Sequence, residues 1–213
     1  MTEPPSQPKA YDITHASNLK GIVAAGALRC DSTVAAAGGP NSGIGIADIK
    51  SRRRALPVRC HPGLTVGDCV PFYLCPRSIM LFVLYRGNHV QLDYRGGQDP
   101  IVHLEIDMRT AVAWAQSAPR RWAVTPRNAA TVYNFDFFSD LSQLSLLNWD
   151  AIAAQDFRDP EVKEAKQAEF LLEELCPWEL VSQVGVYNAS TKAAAEAAIG
   201  HQPPVVVRRD WYF

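Results

Sequence analysis

Residues 11–28 constrain the fold most. Tyr11-Asp12-Ile13-Thr14-His15 alternates apolar and polar side chains, the period of a half-buried strand. Asn18-Leu19-Lys20-Gly21-Ile22 follows at once, and a Ser17/Asn18 cap starts an apolar-periodic helix that Gly26 stops. This strand-to-helix corner gathers the Thr14 hydroxyl, the His15 imidazole and the unpaired N–H groups of a helix start. Such a set suits an anionic or dinucleotide ligand.

The rest of the chain continues in short pieces. Residues 34–45 are small and glycine-rich, which is loop chemistry. Residues 46–54 read as a short helix ending in arginines, and 64–68 as a turn. Residues 70–74 read as a strand whose Pro71 favours an edge or a first position. Residues 79–84 fit helix or strand equally. Residues 101–106 are a clear strand, and 110–115 have helical composition. Further on, 161–166 reads as helix, 181–187 as strand, 191–199 as an alanine-rich helix and 205–208 as a final strand. Short strands and helices without a regular β-α-β rhythm predict an α+β domain, single over 1–213, with a flexible polar terminus at 1–9.

Bulk properties remove whole classes. No apolar run reaches the roughly 18 residues of a membrane helix. Five cysteines are scattered without a C-x-x-C pair, and no histidine cluster has zinc spacing, so reduced thiols in a cytoplasmic chain and no metal are expected. The net charge of −1 hides an asymmetry: residues 1–100 carry 11 Lys/Arg against 7 Asp/Glu, and the remainder 10 against 15. Arg52-Arg53-Arg54, with Lys50 and Arg59, is the densest basic cluster. Alone it reads as solvated surface or as a phosphate-binding patch.

Four features carry possible chemistry. Glu169 sits before Phe170-Leu171-Leu172 and is semi-buried whether its segment is helix or strand, so it needs a partner or a function. Periodicity favours one helix through Leu175. Arg53 paired with Glu169 makes either a salt bridge or half of a site that positions a phosphate and a nucleophile. Tyr73 is a core aromatic or a stacking platform. The aromatic and basic interleaving of residues 120–138, with Arg121, Arg127, Tyr133 and Phe137, fits stacking on unpaired bases, or a loop with its own small core.

Taken jointly, these segments resemble the DarT family of DNA ADP-ribosyltransferase toxins. The matching pieces are Tyr11 to His15 with Asn18-Leu19-x-Gly21-Ile22, Ile49-Lys50-Ser51-Arg52-Arg53 leading to Pro57-Val58, and Asp68 to Leu81 around Val70-Pro71-Phe72-Tyr73. Lys166-Gln167-Ala168-Glu169-Phe170 and the terminal Arg209-Asp210-Trp211-Tyr212-Phe213 complete them. The residue before Ile13, often His in the family, is Asp12 here.

The resemblance implies an ADP-ribosyltransferase fold, a split and mostly antiparallel sheet around an NAD cleft with short helices, and it places Glu169 on a strand. It implies transfer of ADP-ribose from NAD to a base of single-stranded DNA in a sequence-dependent way, reversed by a macrodomain antitoxin of the DarG type. Glu169 is implied as the catalytic glutamate, with Arg53 as a second essential residue that helps deprotonate the base. Asp12, Ile13, Thr14, His15, Asn18, Leu19, Gly21, Ile22, Arg53 and Tyr73 are implied to line the NAD site. Arg52, Arg54, Arg77, Arg121, Arg127, Tyr133 and Phe137 are expected on the DNA, and 120–155 as the region that reads it. A transferase acting on RNA, protein or a small molecule, and a non-catalytic NAD- or nucleic-acid-binding module, are the competing readings.

Overall fold

The computed structural model describes residues 3–129, 137–200 and 202–213. Nine strands run in chain order: β1 Lys9–His15, β2 Ala27–Arg29, β3 Cys69–Tyr73, β4 Ile101–Asp107, β5 Trp122–Thr125, β6 Glu169–Glu173, β7 Leu175–Pro177, β8 Val181–Val186 and β9 Val205–Val207. The helices are short: α1 Leu19–Ala24, α2 Asp31–Ala36, α3 Ala47–Ala55, α4 Ile79–Arg86, α5 Met108–Ser117, α6 Trp149–Ala153, α7 Pro160–Ala165 and α8 Ala189–Ile199.

Seven strands form one sheet in the order β5-β6-β3-β1-β4-β8-β9, and β2 pairs with β7 apart from it. Every neighbouring pair in the large sheet is antiparallel except β8 with β9. The sheet divides in its middle. β1 meets β4 along seven residue pairs but meets β3 at one, Tyr11 opposite Tyr73. That division is the split sheet that the family resemblance implies.

Strand alternation sorts two cores onto the two faces. Val102, Leu104 and Ile106 of β4 join Phe72, Phe170 and helix α5 on one face. Ile101 joins Tyr11, Leu81, Leu84, Trp211 and Tyr212 on the other. Phe72 and Phe170 are fully buried with ring centroids 6.1 Å apart, each contributing on the order of 2–3 kcal/mol by burial. The aromatic terminus closes the second face: the Tyr212 hydroxyl donates to Ile101 O (2.7 Å) or Gly185 O (3.1 Å), and a Cβ at Gly185 would overlap the Trp211 ring.

Four expectations need correction. The terminus is held from Ser6 on: Arg109 donates to Ser6 O, Met108 N–H donates to Pro8 O, and Lys9 pairs with Asp107. The opening corner is a 3-10 turn, Ala16–Asn18, capped by the His15 ring; Asn18 does hold the N-cap position of α1, which starts at Leu19, but its side chain makes no capping bond. Gly26, at φ +66°, does mark the exit. Pro71 lies in the third strand of seven, not at an edge; β1 leaves β3 after one pair, so the missing N–H costs little there. Finally, residues 169–173 form a strand, against the helical periodicity and in agreement with the family resemblance.

Candidate active site

A cavity of about 360 Å³ opens where β1 and β3 part. Asp12, Ile13 and Thr14 line it from β1, and Val70, Pro71 and Tyr73 from β3. Helix α3 brings Ile49, Lys50 and Arg53 to it, side chains three and four residues apart on one face. Asp48 in the first turn of α3 and Arg52 to Arg54 in its last complement the helix dipole. Helix α4 supplies Ile79, Met80 and Val83.

Glu169 begins β6 at the wall of this cavity, opposite Tyr73 on one side and Thr125 on the other. Its carboxylate is 1% exposed and Arg53 is 8% exposed. The guanidinium grips the carboxylate in a two-pronged pair, Nη1–Oε1 2.9 Å and Nη2–Oε2 2.6 Å, and Ala129 N–H donates to Oε1 at 3.4 Å. Burial opposes the charge on Arg53, yet the charge and hydrogen bonds of Glu169 raise its pKa above the usual arginine value. Arg53 therefore stays a cation, which is at odds with a role as a base. Burial also raises the Tyr73 phenol, with Glu169 adding and Arg53 opposing.

A second charged group sits on the cavity wall. Lys50 Nζ pairs with Asp31 at 3.1 Å, and half-buried Asp12 lies close enough to feel both. Burial pushes the Asp12 carboxyl up to about 7, against the pull of Lys50, while Asp31 adds to the rise. Asn18 ties the glycine-rich loop to the corner. Its Nδ2 donates to Thr14 Oγ1 (3.0 Å) and Ser42 O (2.9 Å), and Ser42 N–H returns a bond to its Oδ1 (3.0 Å).

Of the residues singled out by the sequence, Asp12, Ile13, Thr14, Asn18, Ile22, Arg53, Tyr73 and Glu169 come together on this cavity. His15, Leu19 and Gly21 do not line it. His15 bonds Ser17 and meets Tyr94 edge-on at 5.9 Å, and burial lowers its pKa. Leu19 is core, and Gly21 faces open space.

The expected DNA contacts are dispersed. Arg52 and Arg54 are exposed on either side of Arg53. Arg77 stacks over the Phe213 ring at 4.3 Å. Arg121 is paired with Glu173 (2.5 and 3.0 Å), at the end of β6 away from Glu169, and Arg127 with Glu164 (2.6 Å). Phe137 packs against the Val58–Leu64 cluster, and Tyr133 lies outside the described residues. Sequence reasoning missed Asp31, Lys50, Asn128 and Gln167, which also line the cavity. Gln167 stands two residues before Glu169, a spacing that hints at a shared side; nothing in the sequence pairs Asp31 with Lys50.

The family described as "ssDNA thymidine ADP-ribosyltransferase, DarT" matches residues 11–213. A DNA ADP-ribosyl transferase of Thermus aquaticus is 38% identical, covering 95% of this chain and 88% of its own. The structure of Thermus sp. 2.9 DarT in complex with ADP-ribosylated ssDNA superposes with a TM-score of 0.88 at 34% identity, covering 100% of this chain and 99% of the other. The same enzyme in complex with NAD+ gives 0.82 at 32% identity, covering 99% and 100%. A split sheet with a buried carboxylate on its divide, and this likeness over its whole length, make the chain a member of the DarT family of DNA ADP-ribosyltransferases.

Proposed function

We propose that this protein transfers ADP-ribose from NAD to thymidine in single-stranded DNA, with Glu169 as the catalytic carboxylate. The observation that carries the reading is the buried Glu169–Arg53 pair on the wall of a cavity the size of a small-ligand site. The residues present fit the donor: Ile13, Ile22, Ile49 and Met80 offer apolar walls for flat rings, and Arg29 and Lys50 bring positive charge for a pyrophosphate. NAD supplies the ADP-ribosyl group and leaves as nicotinamide.

In the transfer the ribose C1–nicotinamide bond breaks, its electron pair going to the nicotinamide nitrogen, and a bond from C1 to a nitrogen of the base forms. Positive charge grows on the sugar as in glycoside cleavage, and the Glu169 carboxylate stabilises it. The base loses one proton, for which Glu169 is the acceptor in this reading. Arg53 holds that carboxylate in one orientation and stays charged throughout. Tyr73, across the strand from Glu169, forms the wall on which the leaving ring rests. The region 120–155 is assigned to reading the strand, and the unpaired substrate base enters without the cost of opening a duplex.

Family membership further supports a toxin role in the cytoplasm, opposed by a DarG-like macrodomain antitoxin. Among the described residues no helix is long and apolar enough to cross a membrane.

The test is to incubate the protein with NAD and short oligonucleotides of varied sequence and weigh the products. ADP-ribose should appear on DNA that contains thymidine. Its appearance on RNA or protein instead, or on thymidine-free DNA alone, overturns the reading.

A second expectation concerns pH. Asp12 is neutral below about 7 and ionises above it, placing negative charge beside a donor whose pyrophosphate already carries two. The KM for NAD should rise about 3- to 10-fold between pH 6 and pH 8.5, and Asp12→Asn should flatten that slope. An equal slope in the variant means that another group sets it.

A further inference from the structure

Helix α4 turns three different sides to its surroundings. Leu81 and Leu84 are buried in the core, while Ile79, Met80 and Val83 line the cavity. Phe82 and Tyr85 leave the helix in a third direction and meet Phe157 and Phe213. Phe82 lies 5.2 Å from Phe157 and 5.1 Å from Phe213, and Tyr85 stacks on Phe213 at 6.0 Å with a 25° interplanar angle. Tyr85 remains 49% exposed. The cluster is therefore a surface, with one broad ring facing water.

Its surroundings are cationic. Arg77 stands over Phe213 at 4.3 Å, with its Nε buried and without a hydrogen-bond partner. Arg95 donates to the carbonyl of Gly87 at the end of α4, and exposed Arg158 follows Phe157, paired with Asp156. Arg86 is exposed, and at 3.6 residues per turn it projects between the Phe82–Tyr85 side and the Ile79–Val83 side. The cationic residue thus bridges the aromatic patch and the cavity mouth. Gln98 locks Phe213 in place: the Phe213 N–H donates to Oε1 (3.0 Å), and Nε2 donates to its carbonyl.

Exposed rings ringed by guanidinium groups fit unpaired bases, which stack on any aromatic face while their phosphates meet the arginines. We propose that Tyr85 and Arg86, with the Phe82, Phe157, Phe213 and Arg77 support beneath them, form a second contact for single-stranded DNA, holding a nucleotide outside the cavity that receives the modified base. This rests on the DNA-substrate reading above. It also gives the aromatic terminus a purpose beyond closing the core, since Phe213 is the layer on which Tyr85 lies.

The test uses the double variant Tyr85→Ala/Arg86→Gln, both positions exposed and neither on the cavity wall. Binding and labelling are measured on a short oligonucleotide of about 4 residues and a long one of about 16 that share the same reactive base. The expected result is a 5- to 20-fold loss of affinity for the long strand, with the short strand and the KM for NAD unchanged. Tyr85→Trp, which keeps a stacking face, should retain long-strand affinity. Unchanged long-strand affinity in the double variant overturns the proposal, and is what a protein partner seated on this patch would produce. An equal loss on both strands also overturns it. If the unaltered protein labels neither strand, the DNA reading itself fails, a result distinct from either of these.

Discussion

Glu169→Gln should lower DNA labelling by about 10³-fold or more while leaving a folded protein. Glutamine keeps the volume and one acceptor oxygen for Arg53, so the cavity wall keeps its shape. What disappears is the negative charge against which the ribose builds positive charge, and removing one oriented electrostatic group of this kind typically costs 10²–10³ in rate. The same carboxylate receives the proton in the proposed transfer, so two contributions vanish together. Alanine is the poorer test. Both variants remove the charge that answers buried Arg53, but alanine also removes its hydrogen-bond acceptor and leaves a void in the cavity wall. Lost labelling there would mix chemistry with unfolding. Product mass by spectrometry, with a thermal melt on the same sample, separates the two; labelling above a tenth of the unaltered rate in Glu169→Gln would remove Glu169 from the mechanism.

Arg53→Ala should destabilise the protein about as strongly as it disables it. Glu169 is the more deeply buried partner, and among the described residues the variant leaves its carboxylate with only the long Ala129 N–H contact. Stranding one member of a buried pair costs about 3–5 kcal/mol. In a chain of this size each kcal/mol moves Tm by roughly 2–4 °C, so a fall of about 6–20 °C is expected at pH 8. Arg53→Lys should recover some stability and little labelling, since an ammonium supplies charge without the two-pronged grip that orients both oxygens. A melt within 2 °C of the unaltered protein at pH 8 would show that the pair carries no such energy.

Much of this was legible in the sequence where a strand follows one simple rule. Residues 11–15, 101–106, 181–187 and 205–208 read correctly as strands to within a residue or two at their ends. Residues 169–173 did not, because three apolar residues after Glu169 serve a helix or a strand equally, and pairing with both β3 and β5 decides the matter. Pro71 misled for a related reason: its tolerance depends on a neighbour that walks away, and no local signal reports that. In the site, Arg53 and Glu169 lie 116 residues apart, and their pairing came from family likeness and not from spacing. Asp31 with Lys50, 19 residues apart, and Gln98 with Phe213, 115 apart, likewise carried no motif. Asn18 was picked as a helix cap, whereas its amide reaches across to Ser42.

Pro71 has one more consequence. A sheet tends to zip shut wherever two bare backbones run side by side, and a proline tooth is one that cannot engage. By denying β1 a donor just beyond the Tyr11–Tyr73 rung, it helps keep the slot from healing into continuous fabric. The opening between β1 and β3 is thus written in the main chain as an omission.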